Sequence, residues 1–160
     1  MLIGVLSDSH GHVDLTLNAI RLLEIMNVSH VIHCGDIGSP EIIGLFATWP
    51  TTFVLGNIDT NEDDLRGAIE AANQFGGNRF WSMTLADRRI AVLHGDDNDL
   101  LQQTMTSAEW DLICHGHTHQ LRQTKMGGTL VLNPGAIYRA SPPTIALVEL
   151  KSMAIQFIAI

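Results

Sequence analysis

Six of the eight histidines in this chain of 160 residues fall in short clusters with aspartate and glycine: Asp8-Ser9-His10-Gly11-His12, His94-Gly95-Asp96 and His115-Gly116-His117-Thr118-His119. Two further polar turns, Gly35-Asp36 and Gly56-Asn57, lie between the first cluster and the second. Together Asp8, His10, Asp36, Asn57, His94, His117 and His119 offer oxygen and imidazole nitrogen but no thiolate. Such a set suits Mn, Fe, Co, Ni or Zn, and is a poor match for calcium or an iron–sulfur cluster. Seven donors exceed what one transition-metal ion takes and fit two divalent ions sharing a carboxylate. Taken singly, Asp8 and His10 read as a turn carboxylate and a surface imidazole, and Asp36 and Asn57 as plain turn formers. Three clustered histidines at strand ends seldom serve packing, and the joint pattern favours metal.

Each donor follows an apolar run, so the runs must bring the donors together. Leu2 to Leu6 reads as a strand, and Val13 to Met26 as a helix with Leu15, Ala19, Leu22, Leu23 and Met26 on one face. His30 to Cys34 is a second strand before Asp36, and Ser39-Pro40-Glu41 starts a second helix. Thr51 to Leu55 leads to Asn57, and Asn61 to Phe75 reads as a third helix. Three such units in series predict parallel strands whose carboxyl ends open on one edge. The second half predicts a hairpin of Phe80–Leu85 and Arg89–His94, a helix over Asn98–Ser107 and a strand over Asp111–Cys114. Leu121–Lys125 and Thr129–Leu132 flank a Met126-Gly127-Gly128 turn, and strands over Thr144–Leu150 and Ala154–Ile160 close the chain. The expected architecture is one α/β domain over residues 1–160, with two packed mixed β-sheets flanked by helices.

Composition narrows the partners. Nine basic against seventeen acidic residues leave a net charge of −8, which disfavours extended nucleic acid unless bound cations intervene. No apolar run approaches the ~20 residues a membrane helix needs, and no basic residue precedes Arg21, so neither a membrane partner nor a secretory leader is expected. Cys34 and Cys114 are too few for a disulfide framework and read as reduced, which places the protein in the cytoplasm. Self-association into a homo-oligomer is compatible with everything above.

In their order the motifs resemble the calcineurin-like metallophosphoesterase superfamily, in its small bacterial and archaeal phosphodiesterase branch. Asp8-Ser9-His10 is similar to the family's DxH, Gly35-Asp36 to its GD, and Gly56-Asn57-Ile58-Asp59 to its GNxD. His94-Gly95 is similar to its later His-Gly, Gly116-His117-Thr118-His119 to its GHxH, and Asn133-Pro134-Gly135 to the branch's NPG turn. The resemblance implies one metal held by Asp8, His10, Asp36 and His119, and a second by Asp36, Asn57, His94 and His117. It also implies that Asp36 bridges the ions with a hydroxide placed to attack phosphorus, and that manganese is the expected ion. The implied activity is hydrolysis of small phosphodiesters, with Asp36, Asn57, Asp59 and His12 as the candidate catalytic group.

The chain departs from the pattern at Ile58, where many members carry a histidine beside the leaving group; isoleucine cannot donate a proton. Without that histidine Asp59 is left with orienting its neighbours, and His12 becomes the nearest candidate acid although a loop histidine is more often simply solvated. Ala136 replaces a frequent serine after NPG. The rival reading is a protein-binding scaffold of the same fold, as in a retromer subunit, but its metal ligation is impaired, whereas all seven positions here retain donors. A zinc hydrolase of the β-lactamase type needs HxHxDH, and His115 to Gln120 lacks the aspartate.

Overall fold

A computed structural model describes residues 1–160. The first half runs β1 (Leu2–Leu6), α1 (Val13–Ile25), β2 (His30–His33), α2 (Pro40–Gly44), β3 (Thr51–Val54), α3 (Glu62–Ala71) and β4 (Phe75–Asn78). The second runs β5 (Phe80–Leu85), β6 (Arg88–Leu93), α4 (Asn98–Thr106), β7 (Leu112–Cys114), β8 (Arg122–Met126), β9 (Thr129–Asn133), β10 (Thr144–Glu149) and β11 (Ala154–Ala159). One sheet has the order β11-β10-β1-β2-β3-β4 and the other β5-β6-β7-β9-β8. The two sheets are both mixed, as expected.

Alternation along the strands builds the layers. On β1, Ile3 and Val5 enter the core between the sheets, with Ile32, Cys34 and Val54 from their own sheet and Ile90, Val92, Leu112, Cys114 and Leu132 from the other. Leu6 turns the opposite way and joins Val31, Phe53 and Leu147 beneath the helices, against Ala19, Ile20, Leu23, Ile42, Ile43, Leu65 and Ile69. Both faces of the central strands are thus covered, which is why β1 to β3 read as continuous apolar runs rather than alternating ones. The outer face of the second sheet presents Ala91, Leu93, Ile113 and Val131 to Leu101 of α4. The result is four layers, helices outside and sheets within.

Two local readings change. The expected helix over Asn61–Phe75 stops at Ala71, because Asn73 adopts a left-handed φ of 53° and Gln74 N–H returns to the Ile69 carbonyl. The residues beyond it, Phe75-Gly76-Gly77-Asn78, form a strand parallel to β3. Their glycines carry no strand signal, since side chains are what such a signal consists of. Leu121, expected at the start of a strand, is 49% exposed and precedes β8. The β5–β6 hairpin turns through Ala86 and Asp87, both at positive φ, as a two-residue turn matching the strand twist requires. Within the second half, β6, β7 and β9 pair in parallel. That parallel run gives β7 the same direction as β6, so both deliver their carboxyl ends to one edge.

Candidate metal centre

The carboxyl ends of β1, β2, β3, β6 and β7 lie together across the edge of both sheets. Backbone bonds lace the loops: Asp8 N–H to Gly35 O at 3.0 Å, His10 N–H to Asp36 O at 2.9 Å and Gly116 N–H to His94 O at 2.9 Å. Across the sheets, His117 N–H reaches Asp8 Oδ2 at 3.3 Å. Sequence reading placed these residues on separate loops, and the topology assembles them.

Three histidines surround the Asp8 carboxylate and two of them also face Asp36. His119 Nε2 is 3.2 Å and His10 Nε2 3.8 Å from Asp8 Oδ1, while His94 Nε2 is 3.2 Å from Asp36 Oδ1 and 3.9 Å from Asp8 Oδ1. His10 Nε2 is also 3.6 Å from Asp36 Oδ2, and the His117 ring meets His94 edge-on at 5.2 Å. Asn57 sits exposed after Gly56 at the same edge. Asp8 Oδ1, His10 Nε2 and His94 Nε2 are buried without any hydrogen-bond partner. Nδ1 of His94 lies 2.8 Å from the Cys34 carbonyl and must donate to it, so Nε2 of the neutral ring presents a bare lone pair to a carboxylate. Buried acceptors facing one another cost several kcal/mol unless a cation lies between them, roughly 1–3 kcal/mol for each orphaned group. These residues therefore fit the divalent metals that such a donor set suits.

The electrostatics show the same competition. Burial raises the Asp8 carboxyl above its usual range despite the pull of His94 and His119. Burial pushes Asp36 in the same direction, but His94 beside it and the Ile58 N–H at 3.1 Å outweigh that, and Asp36 is lowered. For His94 burial lowers the pKa and the Asp36 and Asp8 carboxylates more than reverse it, so it is raised. His10 moves down, chiefly through burial.

The backbone is strained at this edge. Asp8, His10, Asp36, His117 and His119 all have φ between 47° and 68°, a region costing non-glycine residues about 1–3 kcal/mol each and kept only where surroundings over-determine it. Two glycines allow the approach. A Cβ at Gly56 would collide with Asp36 Oδ1, and one at Gly116 with Ser7 Oγ.

A supporting set holds the loops. Asp59 is buried and accepts from Gly38 N–H and Gly56 N–H at 2.8 Å and from Ile37 N–H at 3.1 Å, joining the Asp36 loop to the Asn57 loop. Its oxygens face backbone rather than the open edge. Asn133 does the same for the histidine loop, donating to Gly116 O at 2.7 Å and Thr118 Oγ1 at 3.1 Å while accepting from Gly135 N–H at 2.9 Å. Ser9 Oγ donates to Ile37 O, which leaves it to accept from His33 Nε2 at 2.8 Å. Burial takes His33 down to about 3, and His30 and His115 to about 4, so all three stay neutral.

His12 is exposed at the start of α1, its ring stacked on Tyr138 at 3.9 Å. Tyr138 also lies 5.8 Å from the His10 ring, and its N–H bonds the Asp8 carbonyl at 3.0 Å. Neither Tyr138 nor Arg139 stood out in the sequence, although both follow the Asn133-Pro134-Gly135 turn closely and Tyr138 is the sole tyrosine. Ile58 is 38% exposed next to Asp36. Cys34 and Cys114 are buried, unpaired members of the core between the sheets, and no helix is long and apolar enough to cross a membrane.

The chain is similar to known proteins over most of its length. A phosphodiesterase of Methanocaldococcus jannaschii is 30% identical over 154 residues, covering 93% of each chain. A solved archaeal phosphodiesterase superposes over the whole of both chains with a TM-score of 0.92 and 28% identity. Vps29 of Cryptosporidium parvum, at 21% identity, shares the fold with a TM-score of 0.68 over 99% of this chain and 98% of its own. The calcineurin-like phosphoesterase superfamily domain matches residues 1–153. With the family domain covering nearly the whole chain, the protein belongs to the calcineurin-like phosphoesterase superfamily of metal-dependent phosphoester hydrolases.

Proposed function

We propose that this protein hydrolyses small phosphodiesters using two divalent transition-metal ions, one held by Asp8, His10, Asp36 and His119 and the other by Asp36, Asn57, His94 and His117. The observation that carries the reading is the trio of buried, partnerless donors, Asp8 Oδ1, His10 Nε2 and His94 Nε2, at one sheet edge. When bound, the cations supply positive charge that acidifies water and offsets charge growing on the phosphoryl oxygens. Asp36 stands between His10 and His94, and the Ile58 N–H fixes the direction of its Oδ1. Asp59 keeps the Asp36 and Asn57 loops at a set spacing through its three backbone bonds, a positioning role. His12 is the imidazole beside the edge free to hand a proton to a leaving group, since Ile58 cannot.

Imidazole-rich donors favour manganese, nickel, cobalt, iron or zinc over magnesium, and manganese is our choice. A diester carries one charge for the metals to balance and needs no added basic clamp, which suits a chain of net charge −8 with only two lysines. Two buried unpaired cysteines accord with the cytoplasm. The scaffold reading is the weaker one, because all seven donor positions keep ligating side chains. Asp36→Asn tests the assignment: it should lose more than the ~100-fold typical of an outer-shell change in hydrolysis of an aryl phosphodiester, with bound metal falling in parallel. Retention of two tightly bound ions and near-normal turnover would refute the bridging role.

A further inference from the structure

Arg139 stands apart from every other arginine in the chain. Arg21 bonds Asn18, Arg66 and Arg79 pair with Glu62, Arg88 bonds the Leu150 and Lys151 carbonyls, Arg89 pairs with Asp111 and Arg122 bonds Thr124. Arg139 makes neither hydrogen bond nor ion pair, in a protein with seventeen acidic residues to choose from. Its guanidinium instead lies over the Tyr138 ring, 5.4 Å from the centroid. Tyr138 is anchored to the Asp8 backbone and packs on both His10 and His12. Arg139 also takes a left-handed φ of 58°, a conformation that costs a β-carbon residue energy and is kept for a purpose more often at binding sites than elsewhere. The outcome is an exposed planar cation lying over one aromatic ring beside the metal edge, with no partner for its donors within the protein.

We propose that Arg139, shelved on Tyr138, is a specificity subsite for a second anionic group on the organic part of the substrate, such as a terminal phosphate or phosphonate. The proposal rests on the phosphodiesterase reading above and narrows its substrate class. The guanidinium offers a fork of donors to such a group. The ring between it and His10 puts it beyond the scissile phosphate but within reach of a substituent a few bonds away. Charge supports that choice: the metals suffice for a single diester charge, and a second anion on a protein of −8 needs a cation of its own. Lys125 lies on β8 and Lys151 follows β10, neither of them on the metal edge.

The test compares two esters of one leaving group, p-nitrophenyl propyl phosphate and p-nitrophenyl phosphonopropyl phosphate, on manganese-loaded protein. The wild type should favour the phosphonate-bearing ester by about tenfold in kcat/KM, mostly through KM, the scale of one good charge-assisted contact. Arg139→Gln should bring that ratio near one, whereas Arg21→Gln, remote from the edge, should keep it. Calorimetric titration with the products, propyl phosphate and phosphonopropyl phosphate, should show the same preference and the same loss. Hydrolysis of neither ester would refute the phosphodiesterase reading, and the titration would still decide the subsite. A wild-type ratio near one, or equal losses on both esters in Arg139→Gln, would overturn the proposal, the second by placing Arg139 on the scissile phosphate itself.

Discussion

His94 Nε2 faces Asp36 Oδ1 across 3.2 Å, and in the neutral ring no proton lies between them because the other ring nitrogen donates to the Cys34 carbonyl. The pair is arranged for a cation and accepts a proton in its place. The Asp36 and Asp8 carboxylates outweigh burial and raise His94 above the ordinary imidazole value of 6.5. A ligand must be unprotonated to bind metal, so the ion has to displace that proton.

Metal binding should therefore release protons at pH below the raised His94 pKa. Titrating manganese into stripped protein in buffers of different ionisation enthalpy should reveal about one proton per His94 site. Affinity should weaken as pH falls through the raised His94 pKa, since protonation then competes with metal, and level off above it. Heats independent of the buffer would contradict the arrangement.

Asp59 supports the site from behind. Asp59→Ala strands the buried N–H groups of Ile37 and Gly56 together with the part-buried N–H of Gly38, and should destabilise the protein by roughly 3–5 kcal/mol, read by denaturant unfolding of the metal-free form. Asp59→Asn keeps one carbonyl acceptor and should cost less. Near-equal stability of Asp59→Ala and wild type would mean that the two loops hold their spacing without this tie.

Which of these relationships the sequence discloses follows from their range. The donors after β1, β2, β3, β6 and β7 were legible because each ends an apolar run, and so was the pairing of two sheets. Asp59 could be associated with the site but not given its work, since bonds to Ile37 and Gly38 depend on how two loops meet. Strand β4 was hidden for a different reason: Gly76 and Gly77 lack the side chains that carry periodicity, and only pairing with β3 makes them a strand. Tyr138 and Arg139 were missed because stacking on a loop leaves no spacing to read.

Ile58 governs the leaving group. With isoleucine at this position the departing alkoxide has no imidazole donor from the Asn57 loop, so esters of acidic phenols should outrun alkyl esters widely. Ile58→His would place a ring beside the edge, where a well-positioned general acid contributes about 10²–10⁴ in rate, and the gain should favour poor leaving groups. A wild-type rate that barely changes with leaving-group pKa, with chemistry rate-limiting, would move the acid to another residue, His12 first.

The two-metal claim is tested most directly by restoring manganese stepwise to chelator-stripped protein while recording bound metal and aryl phosphodiester hydrolysis on the same samples. The stripped protein should be inactive, and activity should rise to a plateau as bound metal reaches two ions per chain, with magnesium a poor substitute. Full hydrolysis in chelator, a plateau at one ion, or restoration by magnesium alone would contradict it.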